Sequence, residues 1–273
     1  HYASGESFQI CRCKDCGFQF THPVPVEAEI GRYYETPDYI SHSDTHKGLM
    51  NRVYHWVRRV MLARKARLVK HNSRLSQGSL LDIGTGTGYF PHFMQERGWH
   101  VSAIEKSPQA RQFAKEHFEL DVAAPEALNE FADKSFDVIT LWHVMEHLEH
   151  LNETWETLKR ILKDQGILII AVPNPTSFDA EKYKEMWGAY DVPRHLWHFS
   201  PSVMQQFGAK HDFILCERHP MPFDAFYVSM LSEKYRKSAF PFIKGLITGA
   251  EAWIVSLAKK DRSSSMIYVF RKK

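Results

Sequence analysis

The chain has 273 residues, 44% of them hydrophobic and 25% charged, which is ordinary globular usage and enough for one large α/β domain with an appendage. Thirty-five basic residues against 32 acidic ones give a net charge of +3, too balanced to demand a nucleic-acid or acidic-membrane partner. No uninterrupted apolar run reaches the length of a membrane span and no secretory signal is visible at the start, so the expected location is the cytoplasm.

Residues 1–45 read as an irregular segment. Cys13-Lys14-Asp15-Cys16-Gly17 has the shape of one zinc knuckle, with Cys13 and Cys16 as candidate ligands. No second pair is visible. Cys11 and His22 would complete four ligands only at an unusual spacing, and ordinary reduced thiols are the plainer alternative. Phe18 to Pro25 fits a short strand leaving the knuckle, and Tyr33, Tyr34 and Tyr39 sit in a turn-rich stretch with Pro37.

Residues 46–75 predict one long helix. Leu49, Val53, Trp56, Val57, Val60 and Met61 recur at helical spacing, opposite Arg52, Arg58, Arg59, Arg64, Lys65, Arg67 and Lys70. A basic stripe can bind RNA, but a solvated helix face is the commoner origin of such a pattern.

From residue 76 the pattern changes. Leu80 to Ile83 is a buried strand that includes Asp82 and runs into Gly84-Thr85-Gly86-Thr87-Gly88, after which Tyr89 opens a helix. Glycines on alternate positions strip side chains from the turn and let a ligand approach the backbone. Strand, glycine turn and helix form the layout of a nucleotide-type cofactor site. A dinucleotide fingerprint would need a glycine where Tyr89 stands, and no Lys-Ser/Thr pair follows for a phosphate loop. A second strand, His100 to Ile104, ends beside Glu105, about 20 residues past the glycines, where a ribose-binding acid is expected. Phe136 to Trp142 and Gly166 to Pro173 read as further buried strands.

In this order the segments resemble the motif series of the class I S-adenosylmethionine (SAM) methyltransferases, over roughly residues 79–207. Closest in character are the small-molecule enzymes similar to the ubiquinone-biosynthesis O-methyltransferases. The resemblance implies a doubly wound, Rossmann-like, seven-stranded sheet, mostly parallel with the last strand antiparallel. It implies that Gly84, Gly86 and Gly88 shape the methionine pocket, that Asp82 orients the turn, that Glu105 holds the ribose and that Trp142 lines the transfer site. It also implies an N-terminal helix closing over the cofactor, and a partial zinc ribbon at residues 1–45 of the kind some methyltransferases carry there. The ubiquinone-type enzymes place an acidic-and-His Mg²⁺ site on the stretch matching His143, Glu146 and His147. Here the first position is His, and Mg²⁺ prefers oxygen ligands.

Methyl transfer needs a base for the acceptor's proton, and the candidates are His143, His195 and His198, with His143 and His195 the catalytic pair this reading favours. Residues 174–200 read as a substrate lid in which Trp187, Tyr190, Arg194 and His198 face the acceptor. Residues 222–262 form a helical insertion before the last strand, read as a cap, a dimer contact or an interfacial membrane helix.

The sequence therefore predicts a SAM-dependent methyltransferase acting on a small molecule, at oxygen. The rivals are an RNA or protein methyltransferase and a non-catalytic SAM-binding scaffold. The fourth strand lacks the Asp/Asn-Pro-Pro-aromatic motif of many base N-methylating enzymes, which disfavours nucleic acid. The acceptor's identity, the accepting atom, the presence of a metal and the oligomeric state stay open at this point.

Overall fold

The computed structural model describes residues 4–34 and 49–273. Pro37, Tyr39 and the start of the expected helix at His46 lie outside the described residues, as do the side chains of Leu49, Arg52 and Val53.

The N-terminal segment forms a hairpin of β1 (Gln9–Arg12) and β2 (Gln19–His22), followed by a short helix α1 (Glu27–Ile30). The long helix is α2 (Leu49–Ser73). The main sheet then builds in chain order: β3 (Ser79–Ile83), α3 (Tyr89–Gln95), β4 (His100–Ile104), α4 (Pro108–Phe118), β5 (Val122–Ala123), β6 (Phe136–Trp142), α5 (Leu151–Ile161) and β7 (Leu162–Pro173). α6 (Phe178–Tyr183), β8 (Trp197–His198), α7 (Pro201–Lys210) and β9 (Phe213–Pro220) follow. The insertion is a helical hairpin, α8 (Asp224–Tyr235) and α9 (Pro241–Ala258), and β10 (Ser265–Lys272) closes the chain.

Seven strands order as β5-β4-β3-β6-β7-β10-β9. The first five run parallel, and β10 lies antiparallel between β7 and β9. The β-branched run Ile167 to Val172 is wholly buried because helices cover both faces of the sheet. One apolar layer gathers Trp155, Phe199, Phe213 and Phe270 on one side, and Phe90, Met94, Trp99 and Val69 form the other. Parallel strands with right-handed crossovers bring all their C-terminal ends to one edge.

A second, three-stranded sheet was not expected. β2 pairs antiparallel with β8, with Gln19 opposite His198 and Phe20 opposite Trp197. Phe18 packs at 5.6 Å from Trp197 and 5.1 Å from Phe199. The N-terminal hairpin is thus sewn to residues 174–200, and its side chains join the main core. No described helix is long and apolar enough to cross a membrane.

Candidate active site at the strand tips

The glycine turn hangs from the tips of β3 and β4. The N–H groups of Gly84 and Thr85 both donate to the Ile104 carbonyl, at 2.8 and 3.0 Å. Gly86 donates to Glu105 Oε2 at 2.7 Å, and Ser107 N–H donates to Oε1 at 2.9 Å. Gly84, Gly86 and Gly88 have φ of 69°, 57° and 84°, a region costly to residues with a Cβ. Their surroundings differ. A Cβ on Gly84 would stand 2.3 Å from Val144 Cγ2, and one on Gly88 would stand 2.9 Å from Ala114 Cβ. A Cβ on Gly86 would meet nothing within 4 Å. Two glycines therefore let the protein close on itself, and the middle one leaves an opening.

Asp82 lies buried beneath this turn and accepts a hydrogen bond from Thr140 Oγ1 at 2.6 Å. Burial pushes its carboxyl up to about 6, against the opposing pull of Thr140 and of the Lys65 ammonium. Lys65 is the residue whose place differs most from expectation. It leaves the basic face of α2 and points its Nζ over the Trp142 ring at 4.4 Å and the Phe90 ring at 5.7 Å. Burial lowers its pKa, while Asp82 and Asp224 favour the charge. Arg59, Arg64, Arg67 and Lys70 stay exposed, as a solvated face requires, but Trp56 and Val57 are exposed too. Trp142 is buried, and its Nε1–H has no hydrogen-bond partner among the described residues.

The chain leaves β6 through His143, which takes φ 59°. Its Nε2 is 3.1 Å from Asp224 Oδ2 and its Nδ1 is 3.4 Å from Glu146 Oε1. Burial alone would lower its pKa, but the two carboxylates override that and push it up to about 10. Glu146 is 1% exposed. Burial raises its carboxyl, yet the contact with His143 leaves it lowered overall. His147 Nδ1 lies 3.0 Å from the Arg194 carbonyl, and its ring meets His195 edge-on at 4.5 Å. Burial and the neighbouring His195 push His147 down to about 4. At neutral pH His143 is therefore an imidazolium, and His147 is neutral.

The expected lid residues divide into two groups. His195 approaches the tip of β6 through His147, while Tyr190 packs edge-on against Trp187 and His198. His195 Nδ1 lies 2.9 Å from the Ala189 carbonyl, and Nε2 is 3.7 Å from Asp191 Oδ2. The carbonyl can only accept, so Nδ1 carries the proton and Nε2 keeps a lone pair in the neutral ring. Trp187, by contrast, sits in the packed interior at 1% exposure and donates to Asp179 Oδ2 at 2.7 Å, so it presents no wall to a substrate. Arg194 is clamped by Asp191, from Nε at 3.1 Å and Nη2 at 2.5 Å. His198 is buried against Thr21 Oγ1 at 3.1 Å and pushed down to about 3 by burial and by His195.

For metals, the thiols and the histidines give different answers. The backbone N–H groups of Cys16 and Asp15 lower the Cys13 thiol. Among the described residues, however, no third ligand joins Cys13 and Cys16, and two thiols do not complete a tetrahedral zinc site. Glu146, His147 and His195 bring ligand atoms within 4.8 Å of one another. Two imidazoles with one carboxylate do not fit the oxygen-seeking Mg²⁺ implied by the resemblance.

Comparison with known proteins agrees with this geometry. The profile of a methyltransferase domain family matches residues 53–216, more than half of the chain. The chain belongs to that family. An uncharacterized methyltransferase of Staphylococcus carnosus is 33% identical over 112 residues, covering 40% of this chain and 53% of its own length. The mitochondrial ubiquinone biosynthesis O-methyltransferase of Schizosaccharomyces pombe is 27% identical over 134 residues, 46% of this chain and 49% of its own. The chain spans about half the length of the curated relatives it matches. Among solved structures, the geranyl diphosphate C-methyltransferase of Streptomyces coelicolor, with Mg²⁺, geranyl diphosphate and S-adenosylhomocysteine, superposes with a TM-score of 0.57. It does so at 14% identity, over 92% of this chain and 89% of that one, a likeness of fold alone.

Proposed function

We propose that this methyltransferase domain transfers the methyl group of SAM to an oxygen of a small-molecule acceptor. The observation that carries the reading is the opening at Gly86 beside Glu105, with Lys65 over Trp142, whose buried Nε1–H has no partner among the described residues, at the neighbouring tip of β6. These residues fit the cofactor. Each Glu105 oxygen accepts one backbone N–H and keeps a lone pair for a ribose hydroxyl. The Lys65 ammonium suits the methionine carboxylate. SAM brings the methyl group on a sulfonium, already electrophilic, so the chain's own residues have to orient the acceptor and take its proton.

His195 is the proton acceptor in this reading, because its ring is held with the Nε2 lone pair free. His143 has a different role from the base expected of it. As an imidazolium between Asp224 and Glu146 it has no lone pair, and it stabilises the acceptor oxygen as negative charge develops. Tyr190 supplies an aromatic wall, while Arg194, His198 and Trp187 hold the lid in shape. The oxygen acceptor is carried over from the ubiquinone-type relative. The Cys13–Cys16 turn offers only half of a zinc set.

Calorimetry with S-adenosylhomocysteine, followed by a radiolabelled methyl assay on cell metabolites, tests the proposal. Heat of binding and a labelled, alkali-resistant small molecule are expected. No heat with the cofactor product, together with binding of a nicotinamide or flavin compound, would overturn it.

A further inference from the structure

The insertion hairpin is built inside out for a water-soluble helix pair. A surface helix normally turns its large apolar side chains to the core and its polar ones to solvent. In α9 the residues packed inward are small: Gly245, Thr248, Gly249, Ala252 and Ser256. The two glycines allow backbone contact with α8. A Cβ on Gly245 would stand 2.5 Å from Met230 Cα, and one on Gly249 would stand 2.7 Å from Phe226 Cα. The bulky residues of the same helix face outward. Phe242, Ile243, Leu246, Ile247, Ile254 and Leu257 are between 38% and 66% exposed. Small residues between helices and large apolar ones outside is the arrangement that suits lipid, where hydrophobicity no longer drives helix association.

Charge identifies the occupant of that face. From residue 233 to 262 there are seven Lys or Arg against three Asp or Glu. Lys237 and Lys259–Lys260 flank the two ends of α9, and Lys244 stands on the apolar face itself, all exposed. Of the acids, Glu233 is buried, and Glu251 is ion-paired with Lys182. Exposed lysines around an apolar face complement an anionic headgroup layer, with the lysine stems lying along the apolar surface. At 18 residues α9 is about 27 Å long, and it is not both long and apolar enough to cross a bilayer, so the docking geometry is along the surface.

We infer that the outer face of α9 docks this domain on an anionic lipid surface. The inference goes beyond methyl transfer and stands whether or not the acceptor is lipid-borne. The hairpin nonetheless starts at Asp224, the residue bonded to His143, with Phe223 and Tyr227 exposed beside it. Docking through α9 thus acts on the element that borders the candidate active site.

The test is flotation of the full chain with vesicles of phosphatidylcholine alone or with equimolar phosphatidylglycerol, alongside light scattering without lipid. Flotation with the anionic vesicles, reversed by salt, is expected. Lys259→Gln with Lys260→Gln is expected to weaken partitioning roughly thirtyfold, and Ile247→Asp with Ile254→Asp to abolish it. Circular dichroism and the thermal midpoint keep loss of fold separate from loss of docking. Absence of flotation with either vesicle overturns the inference. So does a lipid-free dimer that the Ile247→Asp, Ile254→Asp pair dissociates, since a second copy would then cover the face.

Discussion

His143 Nε2 stands 3.1 Å from Asp224 Oδ2, and this contact joins the tip of β6 to the first turn of α8, 81 residues later. With Glu146 on its other nitrogen, the ring holds its proton to about pH 10. The folded pKa is raised above 6.5. The stabilisation is therefore fully present below pH 6.5 and is lost as pH rises through about 10. Asp224→Asn removes one of the two carboxylates. Its alkaline limb is expected to move toward neutrality, and above that limb, where the ring is neutral, kcat is expected to fall about a hundredfold, the scale of a lost positive charge at a developing oxyanion. A kcat–pH profile for the variant that keeps the wild-type alkaline limb would refute the imidazolium role.

The glycines of the turn separate binding from folding. Gly84→Ala drives a methyl group into Val144 and is expected to lower the thermal midpoint strongly. Gly86→Ala meets no neighbour and costs only the left-handed backbone, about 1–2 kcal/mol. It nonetheless places a methyl group where the cofactor has to approach. The expected outcome is a modest change in midpoint with a large loss of S-adenosylhomocysteine affinity, read by calorimetry. Equal midpoint losses in the two variants, with affinity intact in Gly86→Ala, would remove the cofactor from that opening.

Lys65 tests the orientation of the cofactor. Lys65→Met keeps the packed stem over Trp142 and removes the charge. SAM and S-adenosylhomocysteine are expected to bind roughly tenfold or more weakly, the scale of one charge-assisted hydrogen bond. Methylthioadenosine, which lacks the carboxylate, is expected to bind both proteins alike. An equal loss for all three ligands would show that Lys65 shapes the pocket without meeting the carboxylate.

These residues also show how far the sequence could be read. The glycine turn, Glu105 and the buried strands were legible because each is a local pattern of backbone freedom or apolar periodicity, and the antiparallel last strand followed from the resemblance. In the sequence Lys65 reads as one of a basic stripe. Its spacing, four residues from both Met61 and Val69, already placed it in line with the packed side, but its type suggested solvent. Aromatic density makes Trp187 read as a substrate wall. What buries it is a bond to Asp179, itself held by Ser264 across 85 residues, and no local pattern records that. The pairing of β2 with the two-residue β8 left no periodicity to find.

Acid stability follows from the buried histidines. Burial holds His147 and His198 at about 4 and about 3, below the ordinary 6.5, so their contribution is present above pH 6.5 and is lost as pH falls through those values. Asp82, raised to about 6, works the other way. Its contribution is present below 3.8 and gone above about 6. Two groups outweigh one between pH 6 and 4, so the thermal midpoint is expected to fall as the medium is acidified. Each unmatched proton adds a slope of at most about 1.4 kcal/mol per pH unit. His198→Gln, which can still meet Thr21, is expected to flatten this limb in calorimetry at stepped pH. An unchanged slope would mean that His198 is not held neutral.

Thr21 tests whether the N-terminal hairpin serves the lid without any metal. It is wholly buried, its Oγ1 donates to the His195 carbonyl at 2.6 Å and faces His198 Nε2 at 3.1 Å, and its N–H donates to the Leu196 carbonyl at 2.9 Å. Thr21→Val keeps the shape and the backbone bond but leaves both side-chain partners unsatisfied, at a cost of about 1–3 kcal/mol. His195 would lose the bond that fixes its backbone carbonyl and so its place on the lid, so acceptor KM is expected to rise and kcat to fall, with cofactor affinity unchanged because the glycine turn lies on other strands. Thr21→Ser restores the hydroxyl and is expected to recover most of the loss. If Thr21→Val weakened cofactor binding as much as turnover, the hairpin would be supporting the whole domain and not the lid.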